Sequence, residues 1–325
     1  MLRDTAQVKS AMHKPYQRAG AYRMSKAVVT KPRKSAKPYP NASLLVETAW
    51  LEKNLKNQNL RIIDCNVRMT VKSEGGYMIE PGLADWKAAH IPSSHFIDLI
   101  SELSAPHPTL KFMMPTADHF ARVMSLHGIG NKHRVVVYSR GANYWATRLF
   151  LMFRAMGHTK VQVLNGGWDK WAMEQRPTTT LAKKNPKAIF EAKSRPGQIL
   201  NKAEMKVALS TTSTCVINAL HPDVHAGRKT SYARAGRIPG SVNVFAKDLI
   251  DPITKKFLPA AQLRKIFAAV GAMKAKKVIT YCGGGISATT DSFALMLLGH
   301  KNVALYDGSI SEWAADPKLP MEIGD

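Results

Sequence analysis

From residue 44 onward the apolar positions of this chain follow two alternating rhythms. Residues 44–55 carry apolar side chains at helical spacing. Residues 60–65 (LRIIDC) form a short continuous apolar run, as a strand buried on both faces does. A helical pattern over 117–126 and a strand over 134–138 (RVVVY) follow. An amphipathic helix over 144–156 is then stopped by Gly157, and a strand spans 161–164. The second half repeats the series: strand 214–219, helix 260–270, strand 277–281 (KVITY), helix 289–298 stopped by Gly299, and strand 302–306. Strands alternating with helices predict an α/β fold, a parallel sheet with helices on both faces. The Pro-, Lys- and Thr-containing stretch 178–193 reads as a linker. Residues 1–43 lack periodicity and read as a basic, disordered arm. The expected organisation is therefore an arm (1–43), a first domain (44–177), the linker (178–193) and a second domain (194–325).

The repetition reaches individual residues. RVVVYS (134–139) matches KVITYC (277–282), and Gly157–His158 matches Gly299–His300. NGGWDKW (165–171) matches YDGSISEW (306–313), and HIPSS (90–94) matches RIPGS (237–241). Order and spacing hold over a whole domain, so the chain is an internal duplication of two complete units.

Charge and cysteines narrow the setting. The 325 residues carry a net charge of +24. Residues 1–43 hold ten Lys or Arg against one acid, so +9 lies there and +15 in the remainder. A basic surface attracts anions of every size. No basic groove-reading motif with interleaved aromatics occurs, so nucleic acid is not an expected partner. The longest apolar runs, such as 293–298, are too short to cross a bilayer, and no membrane role is expected. The setting expected is the cytoplasm, or the mitochondrial matrix if residues 1–43 are a transit peptide. Three cysteines, Cys65, Cys215 and Cys282, make no disulfide framework, and with no C-x-x-C pair no metal site is expected. Cys65 and Cys215 belong to or adjoin apolar strands and read as packing residues.

Cys282 differs. After the tyrosine that ends the central strand, the second copy has Cys282 where the first has Ser139. The loop Cys282-Gly283-Gly284-Gly285-Ile286-Ser287-Ala288 runs from a strand into a helix, the place where ligands sit in open parallel sheets. Three glycines let the backbone curl until its N–H groups point inward and join those of the helix start. Such a cradle stabilises a thiolate, or the terminal sulfur of a persulfide. Ser287 is placed to add a hydroxyl. A phosphatase loop would need a guanidinium for its phosphate, and this loop has none.

With these residues in view, the chain over 44–325 resembles the tandem rhodanese family of thiosulfate and 3-mercaptopyruvate sulfurtransferases. The resemblance rests on IPGS (238–241), the loop opened by Cys282, Gly299–His300, YDGS (306–309) and Trp313. It implies two rhodanese-like domains, the first without the cysteine and the second active. It implies that Cys282 takes sulfur from a small anionic donor, thiosulfate or 3-mercaptopyruvate, and passes it as a persulfide to cyanide or a thiol, with no cofactor. The alternative is a sulfur-relay carrier that receives persulfide sulfur from a protein partner, and a protein is also a possible sulfur acceptor. CGGGISA is closer to the mercaptopyruvate pattern. The donor's charge then falls to backbone N–H groups and to basic residues outside the loop, for which Arg228, Lys229, Arg234 and Arg237 are candidates. His90 matches by motif a histidine that reaches the loop in relatives. One departure is Ile217-Asn218-Ala219-Leu220, where relatives commonly read V-D-A-R.

Overall fold

The computed structural model describes residues 38–71, 77–141 and 143–324. The first half contributes strands β1 (Leu45–Val46), β2 (Leu60–Asp64), β3 (Val67–Val71), β4 (Tyr77–Pro81), β5 (Ser94–Phe96), β6 (Arg134–Tyr138) and β7 (Val161–Leu164). The second contributes β8 (Ile199–Leu200), β9 (Thr214–Asn218), β10 (Val242–Asn243), β11 (Lys277–Tyr281) and β12 (Val303–Tyr306). Two five-stranded sheets result, ordered β1-β7-β6-β2-β5 and β8-β12-β11-β9-β10, with every neighbouring pair parallel. The same order in both sheets is the duplication read from sequence, now in backbone pairing.

Side-chain hydrogen bonds repeat as well. Tyr138 Oη meets Ser94 Oγ at 3.0 Å and accepts from Ile91 N; Tyr281 Oη meets Ser241 Oγ at 2.8 Å and accepts from Ile238 N. Each I-P-x-S turn is thus tied to the tyrosine that ends the central strand of its own sheet. Trp171 Nε1 donates to Pro177 O and Trp313 Nε1 to Pro320 O, both at 2.9 Å.

Two elements differ from expectation. The helix expected over 44–55 is shorter, Thr48–Asn54, because Leu45 and Val46 pair with β7. The first unit also carries an antiparallel hairpin, β3–β4, absent from the second; its weak alternation gave no sequence signal. Of the basic arm expected over 1–43, residues 1–37 lie outside the described residues. Residues 39–41 pack on the second unit: Tyr39 Oη donates to Leu258 O at 2.7 Å and Asn41 N to Leu297 O at 3.1 Å. The expected linker, 178–193, has no helix or long strand, yet Phe190 is buried among Phe120, Phe153 and His158.

The two units share one hydrophobic core. The helices Tyr144–Ala155 and Ala288–Leu297 cross at its centre. They meet through Phe150 against Phe293, edge to face with centroids 4.8 Å apart, and through a 2.6 Å hydrogen bond between Thr147 and Thr289. Each threonine stands ten residues before the glycine that stops its helix, Gly157 or Gly299, so like positions of the two helices meet across the interface.

Candidate active site

Strand β11 delivers Cys282. Its side chains alternate: Thr280 Oγ1 reaches Ser292 Oγ of the following helix at 2.7 Å, while Tyr281 points to the opposite face. Cys282 therefore faces the helix Ala288–Leu297, buried to 2% exposure. The loop curls back so that Ile286 N donates to Cys282 Sγ at 3.2 Å. Among the described residues, the N–H groups of Gly283, Gly284 and Ser287 have no acceptor. Ser309 braces the loop from outside. Its hydroxyl accepts from Cys282 N (3.2 Å) and Gly285 N (3.0 Å) and donates to Tyr306 O (2.8 Å).

The glycines have separate reasons. Gly285 sits at φ +72° against Asp307 O, where any side chain is strained and obstructed. A Cβ on Gly283 would run into the Tyr232 hydroxyl. Gly284 faces open space: a Cβ there would come no closer than 3.9 Å to its nearest neighbour, Lys111 O.

The first unit completes the site. Arg148, 2% exposed, crosses to donate to Gly285 O at 3.1 Å and pairs with Asp307 Oδ1 at 2.6 Å. Its other amino group donates to Phe112 O, and Met114 N donates to Asp307 Oδ2 at 2.7 Å. Thr289 Oγ1, just past the loop, lies 3.2 Å from Tyr144 O. The first copy lacks this machinery. Where the second has Cys282, Asp307 and Ser309, it has Ser139, Asn165 and Gly167.

A rhodanese-like domain matches residues 47–174 and 223–316, both halves of the duplication. The chain belongs to the rhodanese-like family. A curated Arabidopsis thaliana protein, thiosulfate/3-mercaptopyruvate sulfurtransferase 1, mitochondrial, is 30% identical, over 92% of this chain and 83% of the relative. The sulfur carrier protein TtuD of Thermus thermophilus is 26% identical, over 88% of this chain and 99% of the carrier. The solved structure of SseA from Escherichia coli, a 3-mercaptopyruvate sulfotransferase, is 26% identical with a TM-score of 0.72, covering 82% of this chain and 98% of that one. Both sheets are thus rhodanese-like domains in tandem.

Within this rhodanese pair, the residues expected to gather around Cys282 divide. Residues 283–288 do so. Ser287 stands at the helix start but makes no capping bond with its side chain. His90 does not reach the loop. It is fully buried, stacked on Trp86 with centroids 4.0 Å apart, and its ring nitrogens lie 2.7 Å from Trp86 O and 3.3 Å from Leu181 O. Its duplicate, Arg237, is engaged likewise by Glu322 and Gly324 O. The backbones of both pair with the segment that follows each unit's last helix, His90 with Thr179 and Arg237 with Glu322. Arg234 holds four carbonyls, those of Trp313, Ala314, Asp316 and Leu319, and so closes the end of the helix Ser309–Ala315. Arg228 and Lys229 pair with Asp223, at 3.1 and 3.3 Å. The motif and the charge were legible, but long side chains find the nearest carbonyls and carboxylates, which spacing does not reveal.

Sequence reasoning gave Asp307 and Ser309 only as part of the YDGS marker, without a role, and missed Arg148. Arg148 did leave a signal, a lone cation amid the apolar stretch YWATRLFLMF. The V-D-A-R departure also resolves. Asn218 Oδ1 accepts from Leu220 N at 3.0 Å just as Asp64 Oδ1 accepts from Asn66 N at 2.9 Å in the first domain, so Asn218 keeps the turn while the carboxylate charge and the guanidinium are both lost. Burial, followed by the Asp64 charge, pushes the Cys65 thiol well up, and burial raises Cys215. Cys65 Sγ donates to Tyr138 O at 3.4 Å and Cys215 Sγ to Val270 O at 3.7 Å.

Proposed function

We propose that this sulfurtransferase moves sulfane sulfur from thiosulfate or 3-mercaptopyruvate to cyanide or a thiol through a persulfide on Cys282. The observation that carries the reading is the Cys282 loop itself: one N–H already on the sulfur at 3.2 Å and further N–H groups with no acceptor around it. With thiosulfate, the Cys282 thiolate attacks the outer sulfur, the S–S bond breaks, and sulfite leaves with the electron pair. With 3-mercaptopyruvate, the thiolate attacks the substrate sulfur and forms the S–S bond as the C–S bond breaks, the C–S electron pair passes to the enolate of pyruvate, and the thiol proton ends on the carbon that becomes the methyl. Either route leaves Cys–S–S⁻. Cyanide attacks the outer sulfur, leaves as thiocyanate and regenerates the thiolate. The terminal persulfide carries the charge that free N–H groups and a helix start stabilise.

On this reading the first domain supports and the second catalyses, with boundaries near 44–177 and 194–325. Among the described residues no helix is long and apolar enough to cross a membrane. The likeness to the sulfur carrier TtuD keeps a protein partner in view as donor or acceptor. The test compares both donors, with cyanide as acceptor, for wild type and Cys282→Ser. Turnover by the wild type with either donor and none by the variant supports the enzyme. No turnover with either donor removes the small-molecule reading and leaves the carrier.

A further inference from the structure

Of the basic residues expected to receive the donor's negative charge, Arg234 and Arg237 are held by backbone carbonyls and Glu322, while Arg228 and Lys229 share Asp223 at the surface. Arg148 is spent on Asp307, Gly285 O and Phe112 O. What fronts the loop instead is phenolic. The Tyr232 hydroxyl occupies the space beside Gly283 where a Cβ would stand, one residue from the sulfur. Tyr144 opens the first-domain helix whose Thr147 and Arg148 touch the active segment, and its own carbonyl receives Thr289. Among the described residues neither hydroxyl has a hydrogen-bond partner, and neither is sealed from solvent, since both tyrosines are half-buried. Burial, the Cys282 charge and Tyr77 push Tyr232 up, and burial, Tyr77 and the Cys282 charge raise Tyr144. Both phenols are therefore protonated donors at neutral pH and lie within electrostatic range of the sulfur. Tyr77, exposed on the β3–β4 hairpin, is the third member of the group.

We propose that the hydroxyls of Tyr232 and Tyr144 bind the anionic end of the sulfur donor and fit the site to a monoanionic keto-acid thiol, such as 3-mercaptopyruvate, rather than to the thiosulfate dianion. This rests on the Cys282 persulfide reading. Neutral donors satisfy a carboxylate and a ketone oxygen without a counter-charge. A dianion drawn into the same mouth brings a second negative charge beside the thiolate that hydroxyls cannot neutralise, and each added desolvated, unpaired charge is costly. Lys111, whose carbonyl is the nearest neighbour to the open side of Gly284, is exposed.

The experiment measures kcat and KM for both donors, with cyanide as acceptor, in wild type, Tyr232→Phe, Tyr144→Phe and Lys111→Ala, with Cys282→Ser as the blank. Loss of one hydrogen bond to a charged group raises KM for 3-mercaptopyruvate about tenfold in each phenylalanine variant. The kcat holds within about threefold and KM for thiosulfate moves less. A merely structural tyrosine would instead lower Tm or depress kcat for both donors alike. The inference is overturned if KM for 3-mercaptopyruvate is unchanged in both variants, if thiosulfate suffers as much, or if the loss falls on Lys111→Ala. These results leave the Cys282 reading standing as long as wild type turns over and the blank does not. A wild type inactive with both donors ends the persulfide reading, and this inference with it.

Discussion

At the residue scale the three glycines of the loop are not equivalent. Gly284→Ala is expected to retain the fold and most activity, because its space is open and its φ is ordinary. Gly285→Ala is expected to lower Tm and abolish turnover, because φ +72° and Asp307 O both oppose a side chain. Thermal melts with donor assays separate the two. Ser309→Ala removes the acceptor for two loop N–H groups, and kcat is expected to fall at least tenfold with the fold kept. Asp291, nine positions after Cys282, is fully buried and neither carboxylate oxygen has a partner. Burial, then the Cys282 charge, pushes it well above the usual carboxylate range. The folded chain then holds a proton that the unfolded chain releases above about pH 4, so stability falls as pH rises. Asp291→Asn should match wild type near pH 4. It should gain on wild type by about 1.4 kcal/mol per pH unit above that, up to the folded-state value, read from urea midpoints. Equal pH slopes for the two proteins would contradict the burial argument.

At the element scale the central strand, the loop and the helix Ala288–Leu297 were legible because all three leave local marks: a β-branched run, consecutive glycines, a helical period with a terminal glycine. The reach of Arg148 across the domain interface was not, since the 159 residues separating it from Asp307 leave no local pattern. The same limit misplaced His90 and Arg237. Their motifs marked a real structural position, but the partners of that position are the chain segments near Thr179 and Glu322. The β3–β4 hairpin escaped notice because its exposed faces carry Met69, Tyr77 and Met78 in place of a polar alternation. The Arg148–Asp307 pair can be weighed directly. Arg148→Met strands a buried carboxylate and is expected to cost about 3–5 kcal/mol and to abolish transfer. Asp307→Asn combined with Arg148→Met should restore much of that stability but no activity. A double-mutant cycle in urea checks both statements.

For the whole molecule, duplication has left two sheets with one shared core and one equipped loop. Phe150 of the first domain packs on Phe293 of the second, and Arg148 supports a loop 137 residues away. Residues 194–325 expressed alone should therefore fail to give a cooperative melt, whereas the full chain melts as a single transition. A folded, active isolated half would contradict the supporting role given to the first domain. The central claim is that Cys282, and no other cysteine, carries the transferred sulfur. Its most direct test is peptide mass spectrometry after brief exposure of the full chain to 3-mercaptopyruvate or thiosulfate without acceptor. The account predicts one added sulfur atom on the peptide containing Cys282, discharged by cyanide, with the peptides of Cys65 and Cys215 unchanged. Sulfur accumulating on either of those, or turnover with no added sulfur on Cys282, would contradict it.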